Sequence, residues 1–260
     1  VEKMERFIVS CSTGDLREAQ WLYQRNPNIN ISAENEWAFR RACENGHLHV
    51  LKWLLQISKE KGQYIDISVN NEEAFRLACM KGHLHVAQWL LQISKEKGQD
   101  INISADDDLV FRYACYYGHL HVAQWLLQVS GRDIDISINN EEPFRLACCN
   151  GHLHVAKFLL QIKPDINISV NNEEAFSNAC LDEYLHVAQW LQSLKPYLYV
   201  INYDENGKYK DYYIRTKEEE NWEKRKYLVW LASNHCPEEN KNNLLYKLPS
   251  DVSRMVIGFV

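Results

Sequence analysis

From Glu72 to Met80 the apolar residues Phe75, Ala78 and Cys79 fall at i, i+3 and i+4, a single helical stripe. Gly82 stands where a glycine ends such a helix. His83 to Gln92 then sets Leu84, Val86, Ala87, Leu90 and Leu91 beside Trp89, a broader apolar face on a second helix. The IDIS and INIS segments that follow second helices alternate apolar and polar positions in strand fashion and run into Asn or Asp turn residues. This whole pattern returns along the chain. Aligned on one aromatic it gives Phe7, Phe39, Phe75, Phe111, Phe144 and Phe176, at steps of 32, 36, 36, 33 and 32 residues. The two longer steps carry the same insertion, ISKEKGQ, at 57–63 and 93–99. Neither helix of a unit can bury its apolar face alone, and stacking on neighbours solves that problem. The expected fold class is therefore mostly α, a solenoid of about six two-helix repeats over residues 1–196.

After Pro196 the pattern stops, and residues 197–260 read as a small α+β cap. YLYVINYDENGKYKDYYI (197–214) alternates Tyr, Val and Ile around Asp-Glu-Asn-Gly, a β-hairpin turning at Asn206-Gly207. TKEEENWEKRKYLVWLASNHC then forms an amphipathic helix with Thr216 as its cap and acids in its first turn. Trp222, Tyr227, Leu228, Trp230 and Leu231 supply its apolar side. A cap of this kind would cover the exposed end of the array, which a solenoid needs for solubility.

Charge changes the picture little. The 260 residues carry 29 Lys plus Arg against 35 Asp plus Glu, a net −6, whereas a general nucleic-acid binder shows a basic surplus. Residues 197–260 hold ten acids and ten bases, so the whole excess lies in the repeats. No stretch approaches the roughly 18 consecutive apolar residues of a membrane helix, and VEKMERFIVSCSTG lacks the apolar core of a signal peptide.

The unusual counts of ten His and eight Trp are periodic in origin. His47, His49, His83, His85, His119, His121, His152, His154 and His186 sit in GHLH-type words. Two His at i and i+2 on a helix point about 200° apart and cannot close on one ion as an i, i+4 pair would. A structural role is expected and no metal, with pH sensing by His49, His85, His121, His154 and His186 as the other reading. Cys11, Cys43, Cys79, Cys115, Cys148 and Cys180 hold one small buried slot, with Cys149 and Cys236 outside it. Without a secretion signal these thiols suit a reducing compartment. Trp21, Trp53, Trp89, Trp125 and Trp190, with Phe158 in the remaining place, form a packing column. Arg40, Arg76, Arg112 and Arg145 recur so regularly that bonds to loop carbonyls or acidic tips are expected, and Ser177 ends the column. No nucleophile–base set, phosphate loop or paired-carboxylate motif stands out, so neither catalysis nor a cofactor is expected.

The period, the paired helices and the words AC-x-x-GHLHVA-x-WLL-Q resemble ankyrin repeats over about three quarters of the chain. The usual Thr-Pro-Leu-His opening reads EAFR at 73–76 and EPFR at 142–145, which keeps a proline at the start of a helix. The wording NNEEAFRLAC…GHLHVAQWLL is most similar to the ankyrin families of giant DNA viruses infecting protists. The resemblance implies a protein partner on the concave face of loop tips and first helices. Scaffold positions repeat almost verbatim there, while a few slots diverge. The pair before the glycine reads Glu44-Asn45, Met80-Lys81, Tyr116-Tyr117, Cys149-Asn150 and Leu181-Asp182. The slot after the arginine reads Arg41, Leu77, Tyr113, Leu146 and Asn178. Two tips depart from NNEE, with Trp37 in one and Asp106-Asp107-Asp108-Leu109 in the other. Tyrosine offers contact area at low rotamer cost, so the expected site is Tyr113, Tyr116 and Tyr117, supported by Met80, Leu77, Leu109 and Trp37. Drift on a solvated face is the bland alternative.

LPSDVSRMVIGFV (248–260) resembles the first helix of an F-box, with Leu248, Pro249, Asp251, Val252, Val256, Ile257 and Val260 on its slots. Such a tail implies docking on the Skp adaptor of a cullin–RING ubiquitin ligase, and a shortened F-box behind an ankyrin array is a viral architecture. Leu248, Val252, Met255, Val256 and Phe259 also fall at i, i+4, i+7, i+8 and i+11, an ordinary amphipathic helix that could pack on the tail's own hairpin. The sequence thus supports a non-enzymatic protein-binding module of the cytoplasm, the host's if viral. It recruits a target to a ligase, or else it is a scaffold or virion-associated protein whose tail only caps the array.

Overall fold

A computed structural model describes residues 2–99, 101–130 and 134–235, with side chains as far as Tyr227. The F-box-like segment 248–260, and Leu228, Trp230 and Leu231 of the expected apolar side, lie outside the described side chains. Helices come in pairs: α1 (Glu2–Thr13) and α2 (Leu16–Arg25), α3 (Ala33–Glu44) and α4 (Leu48–Lys61), α5 (Val69–Met80) and α6 (Leu84–Glu96). They continue as α7 (Ala105–Tyr116) and α8 (Leu120–Val129), α9 (Ile138–Cys149) and α10 (Leu153–Ile162), α11 (Val170–Leu181) and α12 (Leu185–Leu194). β1 (Tyr199–Tyr203), β2 (Tyr209–Ile214) and α13 (Lys217–His235) follow. Two compact units divide between Asn178 and Ala179.

In the first unit α1, α3, α5, α7 and α9 stack in order as one layer, and each packs on its own second helix. Phe7, Phe39, Phe75, Phe111, Phe144 and Phe176 are all at most 1% exposed, with the column alanines and cysteines at 0% beside them. The tryptophans tie one repeat to the next. Trp53 lies against Phe7 at 6.2 Å, Trp89 against Phe39 at 6.5 Å and Trp125 against Phe75 at 6.1 Å between ring centroids. Burying each column phenylalanine contributes about 1.5–3 kcal/mol. The ISKEKGQ insertion lengthens helices rather than loops. It carries α4 and α6 to 14 and 13 residues against 10 in α8 and α10. Gly62 at φ +63° and Gly98 at φ +64° end those extensions.

The IDIS and INIS segments alternate in burial as a strand would, with Ile65 and Ile67 at 0% exposure. They form no ladder, because their polar residues bond locally instead. The side chains of Asn30, Asp66, Asn102, Asp135 and Asn167 accept the backbone N–H two residues on, at 2.9–3.2 Å. These turns hand the chain to the next helix.

In the second unit Val187, Ala188 and Leu191 of α12 are fully buried and Tyr199 of β1 is 1% exposed. β1 and β2 pair antiparallel, with a bulge at Asn202/Tyr203. The turn falls where the sequence places it. Gly207 takes φ +77°, and the Asp204 side chain accepts from the N–H of Asn206 and Lys208 at 2.9 and 2.8 Å. Thr216 caps α13 in a reciprocal box: its hydroxyl accepts from Glu219 N–H at 3.2 Å, and its own N–H donates to the Glu219 carboxylate at 2.8 Å. Of the expected apolar side, Trp222 and Tyr227 are 41% and 45% exposed.

Candidate protein-binding face

From the second repeat to the sixth, the tip turns through a short left-handed segment before the first helix proceeds. Residues 34–36, 70–72, 106–108, 139–141 and 171–173 all have φ between +52° and +62°. Asn and Asp tolerate this region better than other side chains, yet each residue there costs about 1–2 kcal/mol. Two sets of bonds hold the turn. In three of the segments the third residue sends a buried carboxylate to the next repeat's loop: Glu36 to Asp66 N–H at 3.3 Å, Asp108 to Asp135 N–H at 3.3 Å, Glu141 to Asn167 N–H at 3.4 Å. Burial first, outweighing these bonds, raises the Glu36 carboxyl above its ordinary value.

The arginine column supplies the second set. Arg40 donates to the carbonyls of Asn35 and Glu34 at 2.7 and 3.1 Å, and Arg145 to those of Asn140 and Asn139 at 2.8 and 3.1 Å. Each also reaches a glutamate on the following repeat, Arg40 to Glu73 and Arg145 to Glu174, the latter at 2.6 Å. Arg112 pairs likewise with Glu142 at 2.9 Å. Loop carbonyls and acidic tips are both partners, as the regular recurrence suggests, and this clamp stands where the usual threonine opening is missing.

The structure brings Tyr113, Tyr116 and Tyr117 together at the C-terminal end of α7. Tyr116 and Tyr117 rings meet edge-on at 4.8 Å, and Tyr113 lies 6.4 Å from Tyr117. Tyr117 also stacks on His119 at 6.3 Å, and Lys81 Nζ stands 5.9 Å from its ring. Tyr116 and Tyr117 are 38% and 39% exposed, so the cluster is partly open. Leu77 and Met80 on α5 and Leu109 on α7 are half-buried. Trp37, on α3, is separated from the tyrosines by α5 and lies under the Arg40 and Arg41 guanidiniums at 4.9 and 5.4 Å. Sequence reasoning passed over Val9, which is 58% exposed. It occupies the same slot as Leu77 and Tyr113, two residues after the column phenylalanine.

The GHLH words join successive repeats. Gly14, Gly46, Gly82 and Gly118 take φ from +76° to +78°, and a Cβ on any of them would lie within 2.5–2.6 Å of the ring of His47, His83, His119 or His152. The second histidine then donates from Nε2 to the same glycine's carbonyl: His49 to Gly14, His85 to Gly46, His121 to Gly82 and His154 to Gly118, at 2.9–3.1 Å. Burial is the main cause that lowers His47, His83, His119 and His152 below the ordinary 6.5. The more exposed second histidines thus serve as donors that tie each repeat to the one before. Among the described residues no group of three or more His, Cys, Asp or Glu is placed to hold a metal ion. The column cysteines are free and buried. Burial pushes Cys11 up to about 12 and the thiols of Cys43, Cys79, Cys115 and Cys148 upward as well. No described helix is long and apolar enough to cross a membrane.

Layered helix pairs joined by clamped tips, with a fixed scaffold and a few divergent surface slots, define an α-helical repeat protein of the protein-binding kind. The chain belongs to the ankyrin-repeat family. The model for ankyrin repeats in many copies matches residues 8–55 and 75–127, and that for three copies matches 111–200. Among solved structures, the human ASB11 ankyrin repeat domain is similar. It is 18% identical, covers 78% of this chain and 88% of that one, and has a TM-score of 0.50, a likeness of fold alone. No curated protein matches the chain in sequence.

Proposed function

We propose that this chain is a non-enzymatic protein-binding module whose target sits on the first-helix face around Tyr113, Tyr116 and Tyr117, flanked by Leu77, Met80, Leu109 and Trp37. The observation that carries the reading is the contrast between scaffold and surface. Column residues repeat almost unchanged while the exposed slots diverge, and the central repeat fills three of them with contiguous tyrosines. Aromatic clusters of this kind anchor interfaces. A buried column of free thiols supports a reducing, cytoplasmic setting. The finer reading, an adaptor that carries its target to a ubiquitin ligase through a Skp-type protein, is supported by the F-box resemblance of 248–260 and by nothing in the array.

Site-specific photo-crosslinking tests the face. A photoreactive phenylalanine at Tyr116, and in a second protein at the exposed Gln88 of α6, is irradiated in extract of the cells that make the chain. A discrete protein adduct from position 116, absent from position 88 and lost on Tyr113→Ala/Tyr117→Ala, is the expected result. The same adducts from both positions would overturn the reading.

A further inference from the structure

The arginine ladder has one mismatched rung. In three rungs the arginine after the column phenylalanine meets a glutamate 29–33 residues on: Arg40 with Glu73, Arg112 with Glu142, Arg145 with Glu174. The residue 33 positions beyond Arg76 is Leu109. The nearest carboxylate to Arg76 is Asp106, at 3.8 Å, beyond hydrogen-bond distance. Arg76 keeps a bond to the Asn70 carbonyl at 3.1 Å, but its Nε is buried with no hydrogen-bond partner. In the Arg40 and Arg145 rungs that nitrogen donates to the Asn35 and Asn140 carbonyls. Arg112 Nε likewise makes no hydrogen bond, but there Glu142 pairs with the guanidinium at 2.9 Å and accepts from its Nη2 at 3.0 Å, so the missing glutamate is what sets the Arg76 rung apart. A buried guanidinium N–H without a partner costs about 1–3 kcal/mol, more where charge is involved.

We propose that this rung is a carboxylate socket. It takes an Asp or Glu side chain of a bound polypeptide in the place that Glu73, Glu142 and Glu174 fill elsewhere, which deepens the first-helix reading and rests on it. The guanidinium is already held at the tip with 26% of its side chain exposed. Ion pairing therefore requires little further ordering of the protein side. The matched glutamates are 19–32% exposed. A carboxylate in that position is thus partly desolvated, where a charge-assisted bond is stronger than at a free surface. The substitution that removes the internal acid also supplies an apolar floor, the half-buried Leu109, in the same repeat as Tyr113. The fitting ligand is accordingly an acidic residue next to a bulky apolar one. Lys81, which lies over Tyr117 and 3.9 Å from Glu44, adds positive charge on the tyrosine side. Asp106, about half exposed, is the internal competitor and can turn to solvent.

The probe is a random peptide library displayed on phage, selected on the full chain. Selected peptides are then measured against the parent protein, Arg76→Gln, Leu109→Glu and Tyr116→Ala/Tyr117→Ala. Leu109→Glu restores the residue type of the other rungs, so it folds and is expected to melt higher than the parent while blocking the socket from within. Expected are peptides with an acid beside a bulky apolar residue. Their affinity falls about tenfold or more on Arg76→Gln and on Leu109→Glu, the loss of a charge-assisted bond. Amidation of the peptide acid costs the same in the parent and nothing more in Arg76→Gln. Peptides that need the tyrosines but lose less than about twofold on both rung substitutions would overturn the socket and leave the face standing. Binders indifferent to every substitution, or no binders, would overturn both.

Discussion

Gly118→Ala isolates the contact on which the stacking of the fourth and fifth repeats depends. Gly118 has φ +76°, and an added Cβ would lie 2.5 Å from Nδ1 of His152 and 2.7 Å from its Cγ and Cε1. Two costs follow. An L-residue in the left-handed region loses about 1–2 kcal/mol. The ring, unable to stay, also gives up its backbone hydrogen bond at Tyr116, worth about 1 kcal/mol, and some packing. The total is about 2–4 kcal/mol, read from urea unfolding followed by circular dichroism. Gly62 provides the control, since it has φ +63° and nothing within 4 Å of its would-be Cβ. Gly62→Ala should show the backbone cost alone, about 1–2 kcal/mol. In a His152→Ala background Gly118→Ala should fall to that same level. Equal losses at Gly118 and Gly62, or a Gly118 loss unchanged without the ring, would refute the histidine-on-glycine joint.

Stability should fall as pH drops from about 7.5 to about 5.5: burial holds His47, His83, His119 and His152 below 6.5, so the unfolded chain binds protons first and their contribution, full above 6.5, is lost on acidification. A melting temperature that stays flat or rises over that range would contradict the assignment. Arg145→Ala should cost about 1–3 kcal/mol in urea unfolding, because it removes two carbonyl bonds and the Glu174 pair. Arg76→Ala, with one carbonyl bond, should cost less than about 1 kcal/mol, and equal losses would count against the mismatched rung. Under alkylation of the native protein Cys149, the half-buried thiol, should label before Cys43, Cys79, Cys115 and Cys148, whose burial disfavours the reactive thiolate. Rapid native labelling of Cys79 would show that the column is not closed.

Most of the array was legible because its signals are periodic and local. The Phe, Cys and Trp columns repeat in register, and helical spacing places them on one buried side. Gly82 and its equivalents mark helix ends by conformation alone. The role of the GHLH pair was half legible. Its angular spacing argues against a shared metal ion, but only the fold shows that both rings address the preceding repeat's glycine. The left-handed tips were missed for a different reason. Asn-Asn-Glu and Asp-Asp-Asp look like variable polar surface, whereas the third residue buries a carboxylate against a loop some 30 residues away, a contact no local pattern encodes. The IDIS alternation misled because it reports which side chains are buried, and two buried isoleucines need no ladder. The mismatch of Arg76 with Leu109 was visible as a departure from NNEE, but its meaning depends on knowing that the glutamate it replaces faces the previous repeat's arginine.

The central claim is that the first-helix face binds a protein, and hydrogen–deuterium exchange of the full chain tests it most directly, with and without the protein crosslinked at position 116. Protection is expected at residues 113–118 and at the tips around 70–73 and 106–109, with α6 and α8 unchanged. Protection confined to the second helices, or to residues beyond 197, would contradict it and move the binding function out of the array face.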